Sequence, residues 1–540
     1  MIIRKIQLND KTIELCGNVD NAEKNIFTLV VGRNGCGKSA LLKKICQINI
    51  SSLLFDTETQ NLQFYLDSSD RTTSNSSDTA GSMTYEYNGS AHSITIERPD
   101  TYISALAYFK LTPTEQQNVR IRSLQNQYML LNNTIRRTTN DSPVTTLDAH
   151  PKIIAVSSSP FDKFPIIDER SLHHQEKQIK NHYFYRGARA KSRNTPKNYL
   201  TAKFDQLGSS LINFFLAHEN RKNEILPLFS YLGLSSKFKL ILKFNDHFRV
   251  SDISGEASRK PAEVIDSVRF FKGIYNDPTN ELTQDLQQQI IESAEAIRSH
   301  FNRNTDPEAP EWFHNKIYEL ELDINSDSEI FLLREFSILA EHDVIDLENI
   351  EFTKNKSKSS FLLTEASSGE LCILFNILSI AGAISNNSVI LLDEPELSLH
   401  PEWQRDFLPL VEAVFANYKN CHFIIATHSP QIVSSMSLSN SYVVNLEENP
   451  VTITDGSQTH MQSSDYQLAY IFKTPGHKNE YLITQIIEAL SLISNGQEPD
   501  EEFLLRTNKL IGFYDLVPEH DPVKKLLSTL TKAMSAIAND

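Results

Sequence analysis

The chain switches between long apolar runs, alternating segments and helical spacing, and the switches predict its elements. Ile2–Leu8 alternates weakly, whereas Ile26–Val31 is a solid apolar run but for Thr28, the pattern of a parallel strand covered on both faces. A glycine-rich turn follows, then residues 40–48, where Leu41, Leu42 and Ile45 share one helical face. The order there is strand, loop, helix. Residues 83–87 and 92–97 are β-rich and joined by Asn88-Gly89, a pair that accepts the positive φ of a tight hairpin. They predict an antiparallel subdomain beside the parallel sheet. The polar stretches 67–82 and 138–146 are expected to be flexible excursions. Residues 152–156 form another apolar strand ending in serines. From about residue 201 to 301 the spacing is helical, with apolar groups three and four apart in 204–217 and 283–301. Residues 306–310 read as a linker, residues 317–324 open a second α/β section running to about 446, and residues 480–538 read as helices. With neither an internal repeat nor a sustained heptad, a long coiled coil is not expected.

Composition narrows the class. At roughly 100–200 residues per domain, the 540 residues allow three or four domains; 40% are apolar and 22% charged, ordinary for a globular protein. No apolar run approaches the roughly 18–20 residues of a bilayer span, and residues 1–50 lack the pattern of a signal peptide. A membrane-embedded or secreted protein is therefore not expected. Cys16, Cys36, Cys46, Cys372 and Cys421 are scattered without a CxxC pair, against a disulfide framework or zinc ribbon and in keeping with a reducing cytoplasm. The net charge of −16 means that nucleic-acid binding would need a local basic patch.

The candidate chemistry begins at Gly32-Arg33-Asn34-Gly35-Cys36-Gly37-Lys38-Ser39, a complete GxxxxGK[ST] phosphate loop with Ala40 opening the helix. Glycines let the backbone N–H groups turn inward toward phosphate oxygens, and the helix adds the positive end of its dipole. Lys38 is expected to bridge the β- and γ-phosphates of ATP and Ser39 to ligate Mg²⁺. In Val389-Ile390-Leu391-Leu392-Asp393-Glu394-Pro395, a buried strand ends in two carboxylates. Asp393 is the candidate metal ligand, and Glu394 the group that orients the attacking water. Ala366-Ser367-Ser368-Gly369-Glu370 precedes a helix; its plainest reading is a serine N-cap, and a cap open to solvent is also open to a phosphate. In Ile424-Ile425-Ala426-Thr427-His428-Ser429-Pro430 a strand ends at a histidine.

These four strings, in this order, resemble the ATP site of ABC-type and SMC-like ATPases. The resemblance implies that Ser367, Ser368, Gly369 and Glu370 form the signature motif acting on a second subunit's nucleotide, and that His428 senses the γ-phosphate. Residues 394–401 resemble the D-loop region of SMC-like and OLD-like members rather than transporters, and serines stand where a transporter has a glutamine after the 152–156 strand. Further strings are similar to the AAA-type, ABC-fold ATPases of bacterial anti-phage defence, in particular the PtuA-type ATPases of Septu and retron systems. They are residues 153–164, Tyr183-Phe184-Tyr185-Arg186-Gly187, 365–370, 393–401 and 463–466 with Phe472. That resemblance implies a homodimer or higher assembly, an HNH-type PtuB-like nuclease partner, and in retrons a reverse transcriptase with its RNA–DNA product. The alternative is an OLD-like or SMC-like ATPase acting directly on DNA in cleavage or repair. Beyond His428, however, there is no DxD and no strand-then-acid pairing of the kind an appended Toprim nuclease uses, and the acids there read as a solvated face.

One basic concentration stands against the acidic background. Lys177, Lys180, Arg186, Arg189, Lys191, Arg193, Lys197 and Lys203 are interleaved with Tyr183, Phe184, Tyr185 and Tyr199 and contain no acid between them. Such a mixture suits sequence-independent binding of a single strand, and equally a solvated helical face. The sequence as a whole reads as an α/β protein: an ABC-type ATPase head, a mixed sheet with the phosphate loop plus an antiparallel β subdomain. Its N-terminal part covers 1–200 and its C-terminal part 311–470; a helical lobe at 201–310 interrupts it, and a C-terminal helical, partner-docking region at 471–540 follows.

Overall fold

A computed structural model of the chain describes residues 1–8, 11–17, 24–56, 81–96, 102–104, 120–124, 127–131, 135–144, 150–159, 161–166, 181–187, 199–217, 222–244, several positions within 289–300, 317–326, 330–341, 344–495 and 500–537. In chain order the N-terminal elements are β1 (Ile2–Leu8), β2 (Lys11–Glu14), β3 (Ile26–Val31), α1 (Lys38–Asp56), β4 (Gly81–Tyr87) and β5 (Ser90–Ile96). Then come β6 (Tyr102–Ser104), β7 (Arg120–Leu124), β8 (Gln127–Leu131), β9 (Ile135–Thr139), β10 (Ser142–Pro143), β11 (Lys152–Ser157) and β12 (Tyr183–Arg186). The middle holds α2 (Tyr199–Ala217), α3 (Leu226–Tyr231), β13 (Leu234–Phe244), β14 (Ile317–Asp323), α4 (Ile330–Glu341), β15 (Ile345–Lys354) and β16 (Ser360–Leu362). After these come α5 (Ser368–Ala381), β17 (Ser388–Asp393), α6 (Pro401–Val414), β18 (His422–Ala426), α7 (Pro430–Ser434), β19 (Ser441–Asn445) and β20 (Thr452–Asp455). Helices α8 (Glu480–Ser494), α9 (Glu501–Ile511) and α10 (Pro522–Ile537) close the described chain.

The central sheet runs β12-β11-β17-β18-β3-β19-β20, parallel except for the β19–β20 pair. Its inner strands are apolar at nearly every position because both faces are covered. Phe27, Leu29, Ile390, Leu392, Phe423 and Ile425 point into one core, with Phe27 stacked on Phe423 at 4.7 Å. Val30, Val389, Leu391, Ile424 and Ala426 point into a second core, shared with Leu41, Leu42 and Ile45 of α1 and with Ile3, Met83, Tyr85 and Ile94 of the antiparallel sheet. Burying one such side chain contributes about 1.5–3 kcal/mol. That antiparallel sheet has the order β10-β9-β5-β4-β1-β2, and its central hairpin turns at Asn88 and Gly89, with φ of 47° and 78°. The expected subdomain is therefore present, and β1 belongs to it.

Two expectations need correction. The region from 201 to 301 is helical in α2, but β13 is an 11-residue strand. It pairs antiparallel with β14 and β15 in a four-stranded sheet. Its Phe238, Leu240 and Leu242 are buried while Lys237 and Lys239 are partly exposed partners for acids on β14. This is a period of two that a helical reading of the surrounding region passes over. The polar stretch 138–146 holds the end of β9 and all of β10, paired through Asn140 and Asp141 at φ of 47° and 62°. Gly81 and Ser82, placed in the first excursion, belong to β4, and residues 67–80 and 306–310 lie outside the described residues. The C-terminal helices have a core of their own, in which Leu482, Ile486, Leu510, Val523, Leu527 and Leu530 meet Ala469. Among the described residues no helix is long and apolar enough to cross a membrane.

Candidate active site

Parallel register brings the separated motifs to one edge of the central sheet. Ala426 is level with Val30 on one side and with Asp393 on the other. The loop after β3, the acids after β17 and the histidine after β18 thus emerge side by side, at the carboxyl ends where open α/β sheets bind ligands.

Gly32, Gly35 and Gly37 hold φ of 143°, 85° and 108°, values that only glycine adopts readily. At Gly32 a Cβ would also lie 2.6 Å from the Cys36 sulfur, so the curl excludes a side chain. The Lys38 ammonium is buried and folds back to donate to the carbonyls of Gly32 (2.8 Å) and Arg33 (3.3 Å). Burial lowers its pKa. Ser39, in the first turn of α1, donates its hydroxyl to Asp393 Oδ1 at 3.0 Å. This bond joins the two halves of the site across 354 positions of sequence.

Asp393 is 4% exposed. Burial pushes its carboxyl up to about 7; the Ser39 hydroxyl opposes the shift, and the charges of Glu394, Asp162 and Glu396 add to it. A carboxylate in such a place lacks a cation. Mg²⁺ fits: one carboxylate and one hydroxyl are the protein oxygens it takes when phosphates and water supply the rest. Ser39 and Asp393 would be the protein ligands.

Glu394 has φ of 51° and donates its backbone N–H to the Ala426 carbonyl at 2.9 Å. Its Oε1 lies 3.6 Å from His428 Nε2. Burial first, and Lys38 second, lower the His428 pKa, so the imidazole is neutral at pH 7. A half-buried carboxylate beside a neutral imidazole, opposite a lysine and a metal pair, can orient a water and test for a terminal phosphate.

Two acids here were missed in the sequence. Glu396 Oε1 accepts from the Thr427 hydroxyl at 2.8 Å and the His428 backbone N–H at 2.6 Å; the only sequence signal was its closeness to Asp393 and Glu394. Glu447, just past β19, accepts from the Arg33 backbone N–H, and its other oxygen is 3.4 Å from the Arg33 guanidinium. Nothing near Glu447 in the sequence announced it.

The other candidates stand elsewhere. Ser367 is the N-cap of α5: its hydroxyl accepts from the Glu370 N–H at 3.2 Å, and the Glu370 carboxylate accepts from the Ser367 N–H at 3.0 Å. Burial opposes the Glu370 charge, but Lys354, 2.6 Å away, and the Ser367 donors keep its pKa below the ordinary value. Ser367 and Ser368 are exposed, and among the described residues none of their side-chain hydrogen bonds reaches the phosphate loop. Arg186 is half-buried, with its guanidinium donating to the Ser210 hydroxyl and lying 5.8 Å from the Phe184 ring centre. Arg189, Lys191, Arg193 and Lys197 lie outside the described residues.

Known proteins match parts of the chain. It is similar to the retron Ec83 probable ATPase of Escherichia coli, 30% identical over 106 residues, which are 18% of this chain and 19% of that protein. It is also similar to the retron Vc95 probable ATPase of Vibrio cholerae serotype O1 biovar El Tor, 21% identical over 295 residues, 49% of this chain and 51% of that one. The chain thus spans about half, or much less, of the length of these curated relatives. A solved SMC head domain from Thermotoga maritima aligns over 84% of this chain and 99% of its own at 12% identity, with a TM-score of 0.28, too low to bear on the fold. Residues 4–433, from β1 to the last turn of α7, match the AAA ATPase domain family AAA_15, and a match over so much of the chain, together with the joined phosphate-loop and carboxylate halves, makes the protein a member of that family.

Proposed function

We propose that the protein hydrolyses ATP with Mg²⁺ and uses nucleotide-dependent closure of two copies to control an HNH-type nuclease partner in anti-phage defence. The observation that carries the hydrolytic part is the Ser39–Asp393 hydrogen bond of 3.0 Å, which joins the phosphate loop and the acid pair in one site. Lys38 leaves the loop carbonyls to meet the β- and γ-phosphates, and the loop N–H groups take the remaining oxygens. Ser39 and Asp393 would hold Mg²⁺, which would supply charge neutralisation for the phosphates. Glu394 orients a water for in-line attack on the γ-phosphorus. As the new P–O bond forms, the bond to the β–γ bridging oxygen breaks, so ADP leaves with that electron pair and the water's proton passes to Glu394 or solvent. His428, neutral and 3.6 Å from Glu394, is placed to contact the γ-phosphate only while it is present.

Two further points support the assembly and defence parts. The exposed α5 cap offers an anion site that its own chain's loop does not use. The similar proteins include two that carry retron names. Phosphate release from Mg·ATP tests the core reading: the purified chain is expected to turn over slowly, and Lys38→Ala to abolish both binding and release. Wild-type release that Lys38→Ala leaves untouched would point to a contaminant and remove the proposal. Capture of a co-expressed HNH-type nuclease, compared with and without ATP, tests the partner; capture indifferent to nucleotide sinks the control mechanism while leaving hydrolysis standing. Purified alone, the chain is expected to cut no DNA.

A further inference from the structure

The reading above leaves Glu396 without a role. It lies in the turn between β17 and α6, a segment that bends through Glu394 and Ser398 at φ of 51° and 72°. Oε1 accepts from two donors of the facing loop, the Thr427 hydroxyl at 2.8 Å and the His428 N–H at 2.6 Å, while the buried Oε2 has no hydrogen-bond partner among the described residues. The clamp has a fixed base: Thr427 is wholly buried, and its N–H donates to Val30 O, on the strand that carries the phosphate loop. A second tie runs parallel to it, from the Ser429 hydroxyl to Gln404 of α6 at 2.6 Å. On the far side of the same segment, Gly369 of α5 packs so closely that a Cβ there would lie 2.9 Å from the Trp403 ring and 3.4 Å from Ser398 O. Residues 394–404 therefore touch both the cap of α5 and the histidine loop.

We propose that Glu396 is a positioning residue of the ATP site: it fixes the backbone at His428, and through it a displacement at the α5 cap reaches the imidazole. The proposal rests on the ATPase reading above. The 2.6 Å bond from the His428 N–H holds the peptide bearing the imidazole while leaving the ring free to meet phosphate. A loop that merely needed stapling would require only the Gln404 tie and the α7 cap already present; Glu396 adds an acceptor aimed at the peptide that carries the His428 imidazole.

Steady-state turnover and binding of a fluorescent N-methylanthraniloyl ATP, both with Mg²⁺, test it in Glu396→Ala and Glu396→Gln. Glu396→Ala is expected to lower kcat on the order of 10²-fold, the usual consequence of a misplaced group, with KM and analogue affinity unchanged. Glu396→Gln keeps an acceptor of the same reach and should restore most of kcat. Wild-type kcat in Glu396→Ala overturns the proposal. So does a joint fall in kcat, analogue affinity and melting temperature that Gln does not rescue, because that is the mark of a structural staple. If the wild-type chain itself releases no phosphate, the ATPase reading fails first and takes this inference with it.

Discussion

At the scale of single residues the site is a set of charged and polar groups joined to one another. Lys38 donates to loop carbonyls and Asp393 accepts from a serine hydroxyl. Glu394 is the exception, since its carboxylate is half-exposed and free of a strong partner in the site. Glu394→Gln keeps the shape and removes the base. Its hydrolysis is expected to fall about 10²–10⁴-fold, while light scattering detects a dimer that persists in ATP. A variant that hydrolyses like wild type would assign the water to another group. Lys38, Ser39, Asp393 and Glu394 were all legible in the sequence because the chemistry demands those residue types at fixed local spacing. Glu396 and Glu447 were not, because their partners lie 32 and 414 positions away and a lone glutamate beside a strand has no pattern of its own.

Elements are held together by contacts of the same kind. At the start of β18, His422 is wholly buried and joins the two sheets. Its Nδ1 accepts from the Ile3 N–H at 3.1 Å, and its Nε2 lies 2.9 Å from Thr28 Oγ1. Thr28 already donates to Leu15 O, so the hydrogen must sit on Nε2 and the ring is neutral. Burial, then the charges of the amino terminus and Arg4, lower its pKa from 6.5 to about 3. The unfolded chain therefore binds this proton below about 6.5 and the native one not until about 3, so stability falls as pH drops through that window, by on the order of a few kcal/mol. Urea titrations at several pH values should show a shallower acid slope for His422→Gln; equal slopes would mean that the ring is protonated or solvated in the native state. Helix crossing gives a second test. A Cβ at Gly382 would lie 2.3 Å from Ser210 O in α2, and backbone cannot step aside. Gly382→Ala should cost about 1–3 kcal/mol, read as a lowered melting temperature. Strands β3, β17 and β18 were readable because double burial makes them apolar except at Thr28, at Ser388 and Asp393 at the two ends of β17, and at His422 at the start of β18. In β13 the alternation was present, yet lysines pairing with β14 acids look, in a window rich in helix formers, like one polar helical face.

The whole molecule has separate cores under the two faces of its main sheet and a third among α8, α9 and α10. Among the described residues no side-chain hydrogen bond of the exposed α5 cap reaches the phosphate loop, and the proposed composite site would pair the loop of one copy with the cap of another. Complementation tests this directly. Lys38→Ala removes the loop of one copy, and Ser367→Arg blocks the cap of the other. Each variant alone is expected to be inactive in phosphate release, whereas an equal mixture should regain activity, since one site in each mixed pair is intact. No recovery on mixing would show that each copy works by itself.

The order of the central sheet also governs how the protein comes into being. Strand β3 spans residues 26–31, yet both its neighbours, β18 and β19, belong to residues 422–445. During synthesis this largely apolar strand, with the phosphate loop attached, has neither of these two partners until the chain has been made as far as residues 422–445. Parallel pairing across such a separation closes slowly and leaves a sticky edge open meanwhile. The nascent chain cannot grip nucleotide early, and its yield on rapid overexpression should depend on chaperone supply and improve when translation is slowed or cooled.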